Sequence, residues 1–175
     1  MKLTDELAKN YPLPDQYLIE IGRITTLWGT LEASLNIGIG KLAGFDSLSD
    51  PTSFILLAHS SFPQRLDILA ALCVELSPHA THLQEYTGVI TQLKAAQSKR
   101  NRYSHNSLYY DSSTGKCTIN IGSARGKLKF ESSNVTIAQI REVSEDIHLA
   151  ILALHKLITQ ASYPPIWERG ILKKS

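Results

Sequence analysis

The chain has 175 residues, of which 43% are hydrophobic and 19% charged, with a mean hydropathy of −0.09. That is enough apolar surface for one real core, and too much for a disordered chain. Two cysteines, Cys73 and Cys117, cannot form a disulfide scaffold, and the longest unbroken apolar run, Ile68 to Val74, is far short of a membrane span. The N-terminal stretch MKLTDELAKNYPLP has no apolar region of the secretory kind. The expectation is a cytoplasmic single domain over residues 1–175 with no membrane partner. Its core is expected over about 15–160, followed by a tail over 161–175. The net charge of +2 hides an asymmetry: residues 86–130 hold eight basic residues against the single acid Asp111, while the rest of the chain sums to −5. Such a distribution points to one electropositive surface and an anionic partner.

In chain order, the first helix is predicted to run for about 28 residues from Pro14-Asp15 to a stop at Gly44. Ile21, Ile24, Trp28, Leu31, Leu35 and Leu42 form its apolar stripe, with Gly38 filling one slot. Gly22, Gly29, Gly38 and Gly40 weaken it unless another backbone comes close. A second helical region starts at Asp50-Pro51 and is expected to break or bend at Pro63. A stripe of Leu66, Leu69, Cys73 and Leu76 follows. The third helix is predicted to open at Ser77-Pro78, with Leu83, Tyr86, Ile90 and Leu93 on its apolar face. From 107 to 131 the character changes: LYYD, CTINI and KLKF, separated by SSTG and GSARG, predict a two- or three-stranded meander. A last long helix starts at Thr136, where Gln139 completes a capping box, and Ile140, Val143, Ile147, Ala150, Leu154 and Leu157 carry its stripe. The fold class expected is mainly α: a four- to five-helix up-and-down bundle with a small β insertion before the last helix.

The residues that stand out chemically are Arg100-Asn101-Arg102-Tyr103-Ser104-His105, at the end of the third predicted helix and inside an acid-free stretch from Tyr86 to Tyr110. Histidine exchanges protons near neutral pH, and the arginine fork matches phosphate oxygens. Together, without nearby carboxylates, they suit metal-free phosphodiester cleavage: one group moves the proton of a 2′-hydroxyl, the other stabilises charge growing on phosphorus. On a straight helix the five-residue spacing turns through roughly 500°, leaving Arg100 and His105 about 140° apart, whereas Asn101 and His105 share a face. So either the helix loosens before His105 or two chains combine their residues. Glu32, flanking the Trp28–Leu35 stripe, is a candidate carboxylate partner for Arg100 or Arg102. Lys94 and Lys99, with the basic β insertion, could grip an RNA backbone, and Tyr103, Tyr109 and Tyr110 could stack on exposed bases.

The string Arg100-Asn101-x-x-x-His105 resembles the Arg-x(4–6)-His signature of the HEPN superfamily (higher eukaryotes and prokaryotes nucleotide-binding domain). WGTLEASLN in the first helix looks like the corresponding helix of many such proteins. The resemblance spans roughly residues 15 to 160 as a pattern of helices. It implies an endoribonuclease that needs no metal or other cofactor, leaves a 2′,3′-cyclic phosphate, and works as a homodimer with both motifs facing one cleft. It implies a phosphate-binding role for Arg100, an orienting role for Asn101 and a proton-transfer role for His105. Family members include toxins and defence effectors controlled by an antitoxin or other regulatory protein. Some carry a modifiable tyrosine two residues after the histidine, where this chain has Ser107. The alternative expectation is a non-catalytic helical module that binds a nucleotide, RNA or a protein partner, such as one subunit of a toxin–antitoxin pair. Weaker patterns were also weighed: the glycines of 38–44 lack a preceding strand, His79 and His82 have no third metal ligand nearby, and Cys73 reads as core.

Overall fold

A computed structural model describes residues 11–45, 50–123 and 128–169. Arg125 and Lys127 of the basic insertion lie outside them, as does the N-terminal decapeptide. The described chain is mainly helical, with a small antiparallel sheet before the last helix. Its elements are α1 (Asp15–Leu42), α2 (Thr52–Leu57), α3 (Phe62–Leu76), a 3-10 turn (Thr81–Glu85), α4 (Tyr86–Ser104), β1 (Ser107–Asp111), β2 (Lys116–Ser123), β3 (Lys129–Val135) and α5 (Ile137–Thr159). None of the helices is long and apolar enough to cross a membrane, among the described residues.

The chain divides into two compact units, one containing 1–26 with 98–144 and the other 27–97 with 145–175. In the first unit the sheet order is β1-β2-β3. Its register places Tyr110 opposite Cys117 and Cys117 opposite Val135, while Leu108 faces Ile119. Cys117, Ile119 and Val135 are buried, whereas the alternate residues of β2 carry polar pairs such as Ser132 Oγ donating to Asn120 Oδ1 at 2.8 Å. This two-residue alternation turns one sheet face inward. Tyr110 meets Tyr17 of α1 with ring centroids 6.1 Å apart. The β1–β2 turn is fixed by Asp111, whose carboxylate accepts from Ser113 N, Ser113 Oγ and Thr114 Oγ1 at 2.7–2.9 Å; these bonds hold its pKa down to about 2. Thr136 and Gln139 form the predicted capping box at the start of α5, with Thr136 N donating to Gln139 Oε1 at 2.9 Å and Gln139 N donating to Thr136 Oγ1 at 3.2 Å.

The same unit buries a carboxylate that sequence patterning did not single out. Glu20 of α1 is 2% exposed. Its Oε1 accepts from Arg23 Nη1 at 2.7 Å and from Arg141 Nε and Nη2 of α5 at 3.1 and 2.8 Å. Burial pushes the carboxyl upward, but the bonds from Arg141 and Arg23 outweigh it and hold the group below its ordinary 4.5.

In the second unit, Trp28 of α1 packs against Phe62 of α3 with centroids 4.6 Å apart. Leu31, Leu35, Leu66, Leu69, Cys73, Leu83, Leu93, Ile147 and Leu154 are among its fully buried side chains. Burial pushes the Cys73 thiol up to about 11, the behaviour of a core cysteine. The helix α1 stops where predicted. Gly44 has φ +86°, with Gly44 N bonded to Lys41 O at 3.2 Å and Phe45 N to Gly40 O at 2.9 Å, the paired closure of a left-handed helix end. Gly40 permits close packing: a Cβ there would lie 2.8 Å from Ser53 Cβ of α2. At Gly22 and Gly29 a Cβ would meet nothing within 4 Å, so close approach does not account for those two. The tail returns to α5, with Ile166 N donating to His148 Nε2 at 3.2 Å and Trp167 edge-on to the His148 ring.

The helical region from Asp50-Pro51 is interrupted just before Pro63, as expected: α2 ends at Leu57 and Pro63 sits in the first turn of α3, behind a capping box of Ser61 and Gln64, where its missing N–H costs nothing. One predicted boundary is corrected. Ser77-Pro78 does not open a helix. Ser77 closes α3 by bonding Cys73 O at 3.0 Å, and α4 begins only at Tyr86, after the 3-10 turn.

Arg141→Ala is expected to cost about 2 kcal/mol at pH 7, because it leaves a buried carboxylate with one partner fewer. Glu20 is held below its ordinary value, so its stabilising share is complete above about pH 4.5 and is lost as pH falls. Urea unfolding of wild type and variant should therefore converge in acid; equal midpoints at pH 7 would refute the pairing energy. Gly40→Ala is expected to destabilise by roughly 1–3 kcal/mol through overpacking against Ser53, read from the thermal midpoint.

Candidate functional site

The last turn of α4 and the residues just beyond it carry the site, all within the first unit. The helix ends at Ser104, but His105 N still bonds Asn101 O at 3.2 Å. Asn106 then turns back, its Nδ2 donating to Arg102 O at 2.8 Å. One carbonyl of the helix end is thus satisfied by a side chain, and the backbone is released from helical geometry at His105.

That release overcomes the 140° separation expected on a straight helix. Arg100 Nη1 lies 3.3 Å from His105 Nε2 and 3.2 Å from Asn101 Oδ1. One chain therefore brings Arg100, Asn101 and His105 together. An arginine is always a donor, so His105 Nε2 accepts here, which places the ring proton on Nδ1. In that tautomer the Nε2 lone pair faces the Arg100 guanidinium. His105 is exposed, while Arg100 and Asn101 are half-buried. A guanidinium beside a solvent-facing imidazole can bind an anion and exchange a proton with a neighbouring hydroxyl.

The other expected residues are placed as follows. Arg102 turns to the sheet, Nη2 donating to Ser133 Oγ of β3 at 2.8 Å. Lys99 Nζ pairs with Glu142 Oε1 of α5 at 3.3 Å. Tyr103 is buried at 8% exposure, and burial pushes its phenol pKa up against the opposing pull of Arg102. Its ring is therefore wall rather than an open stacking surface. Tyr109 of β1 is 62% exposed and Tyr110 half-buried against Tyr17. Lys94, exposed on α4, and Glu32, half-buried on α1, belong to the other unit. Lys99, Arg102 and Tyr103 of α4, with Val135 of β3 and Glu142 and Val143 of α5, line a depression of about 210 Å³.

Sequence reasoning missed Asn106, Ser133 and Glu142. Asn106 had a local signal, since asparagine just past a helix end commonly closes it. Ser133 and Glu142 had none, because they reach α4 only through the register of β3 and the packing of α5. Among the described residues no group of three or more His, Cys, Asp or Glu is placed to hold a metal ion. No family model matches the chain, and neither does any curated protein or solved structure.

The Arg100 contact fixes a tautomer, which nitrogen-15 NMR can read. Wild-type His105 is expected to show a protonated Nδ1 and a bare Nε2. Arg100→Ala should shift the ring toward a mixed population. An Nε2-protonated ring in the wild type would contradict the contact.

Proposed function

We propose that the chain is an endoribonuclease of HEPN type in which His105 and Arg100 cleave RNA by attack of a 2′-hydroxyl on its own phosphodiester. The observation that carries this reading is the 3.3 Å approach of Arg100 Nη1 to His105 Nε2, at the end of a helix whose sequence from Tyr86 to Tyr110 holds no acidic residue. His105 Nε2, neutral, takes the 2′-hydroxyl proton. The 2′-oxygen forms a bond to phosphorus as the bond to the 5′-oxygen breaks. Arg100 neutralises the charge that builds on the non-bridging oxygens, and Asn101 Oδ1 holds the guanidinium in place. The products are a 2′,3′-cyclic phosphate and a 5′-hydroxyl, whose oxygen must gain a proton.

Attacking and leaving oxygens stand on opposite sides of phosphorus, so one imidazole is poorly placed to serve both. A homodimer with two motifs in one cleft, which the resemblance implies, would bring His105 of a second copy, in its protonated form, to the leaving oxygen, to which it would give that proton. The up-and-down bundle, the cytoplasmic setting and control by an antitoxin belong to the same reading. Arg102, Lys116 and Lys129 would meet the RNA backbone, so binding should weaken steeply with salt.

In excess EDTA, wild-type protein should cut mixed RNAs to products with cyclic phosphate ends. His105→Ala should lose at least about 100-fold in rate while still binding RNA. Binding without cleavage by the wild type would instead favour the non-catalytic module, and cleavage that survives His105→Ala would place the site elsewhere.

A further inference from the structure

The depression beside the motif has a chemistry of its own. At about 210 Å³ it is smaller than the 300–1,000 Å³ of ordinary small-molecule pockets, which suits one flat ring system. Val135 and Val143 supply apolar wall beside the buried Tyr103, and Arg102, Asn134 and Gln139 add polar lining. Lys99 Nζ and Glu142 Oε1 stand together at its edge, 3.3 Å apart, the side chains 45% and 64% exposed. As a surface ion pair this contributes little to stability, about 0–1 kcal/mol in general. As a recognition element it sets one donor beside one acceptor-only group in the lining of the depression.

We infer that this depression is a guanine-binding subsite that selects the nucleotide next to the cleaved linkage; the inference rests on the ribonuclease reading above. Guanine alone among the four RNA bases presents, in a row on its pairing edge, a carbonyl acceptor and two N–H donors. Its O6 accepts from the Lys99 ammonium, while N1–H and N2–H donate to the two oxygens of Glu142. Adenine and cytosine set a bare ring nitrogen beside their amino group, which would face one carboxylate oxygen with a lone pair. Uracil has a single N–H between two carbonyls. Each of the three leaves one polar atom of the pair unmatched, and that mismatch is the basis of selection. Lys99 precedes Arg100 by one helical position, so the two side chains leave α4 about 100° apart. A base in the depression and a phosphate on Arg100 would then be held by neighbouring residues of one helix.

The test has two arms on the full-length protein. Calorimetry with the four nucleoside 5′-monophosphates is expected to give guanosine monophosphate an advantage of about tenfold or more. Glu142→Gln, at a well-exposed position with the fold checked by its thermal midpoint, should bring the four to within about threefold of one another, since an amide offers one acceptor in place of two. In the second arm, cut sites on RNA of random sequence should lie next to guanosine in the wild type and lose that bias in Glu142→Gln. Equal or absent binding of the four nucleotides, or a guanine preference that survives Glu142→Gln, overturns the inference. Cleavage without guanosine bias and without preferential binding removes the subsite and leaves the ribonuclease reading standing. Guanine-selective binding with no cleavage of any RNA supports the subsite and removes the ribonuclease reading.

Discussion

The site depends on where α4 stops. Had the helix continued one more turn, Arg100 and His105 would point in directions about 140° apart and share no ligand. The stop is local and inexpensive. Asn106 Nδ2 takes the Arg102 carbonyl, His105 keeps a bond to Asn101 O, and the chain then enters β1 at Ser107. Helix ends leave four carbonyls without intrahelical partners. Here satisfying one of them also redirects the chain so that an imidazole meets a guanidinium five residues earlier.

The surrounding charge is organised by direction rather than by amount. Arg100, Arg102 and Lys99 are sequence neighbours, yet each acts in a different place. Arg100 faces Asn101 and His105, Arg102 reaches Ser133, and Lys99 reaches Glu142. A helix spreads three adjacent cations over three directions, which keeps their mutual repulsion low while each finds an acceptor. The unit is closed elsewhere by the reverse arrangement, one buried carboxylate with two half-exposed arginines around it. Glu20 gathers Arg23 and Arg141 on one oxygen, which ties α1 to α5 within the unit that carries the motif.

Periodicity and capping chemistry made most of the helices legible. Asp15, Gly44, Thr136 and Gln139 mark boundaries that the structure keeps, because each signal is local: a dipole-favoured acid, a residue at positive φ, and a reciprocal pair of hydrogen bonds. Ser77-Pro78 misled for the same reason. A serine before a proline is a start signal in isolation, but here Cys73 O claims the Ser77 N–H and ends α3. At the site, Arg100, Asn101 and His105 were legible as residue types at a meaningful spacing. Their convergence was not, since it turns on Asn106 and the exit into β1. Glu20 was invisible for a further reason: nothing in sequence distinguishes a glutamate that will meet Arg141, 121 positions away, from one facing solvent.

The contact between Arg100 and His105 also bears on how such a site would behave with and without substrate. The Nε2 lone pair that would accept a proton is the atom the guanidinium occupies. An arginine bonds a phosphate oxygen more strongly than it bonds a neutral imidazole, because both partners are then charged. An arriving phosphodiester would therefore draw Arg100 Nη1 away and uncover Nε2 beside the neighbouring ribose. In the proposed reaction, binding of the anion and exposure of the base would be one event, driven by competition for the Arg100 Nη1 donor. A nucleotide lacking a phosphate at that position would leave the imidazole engaged. Asn101 makes the exchange economical: its Oδ1 keeps hold of the same nitrogen, so the guanidinium can change partners without losing its place.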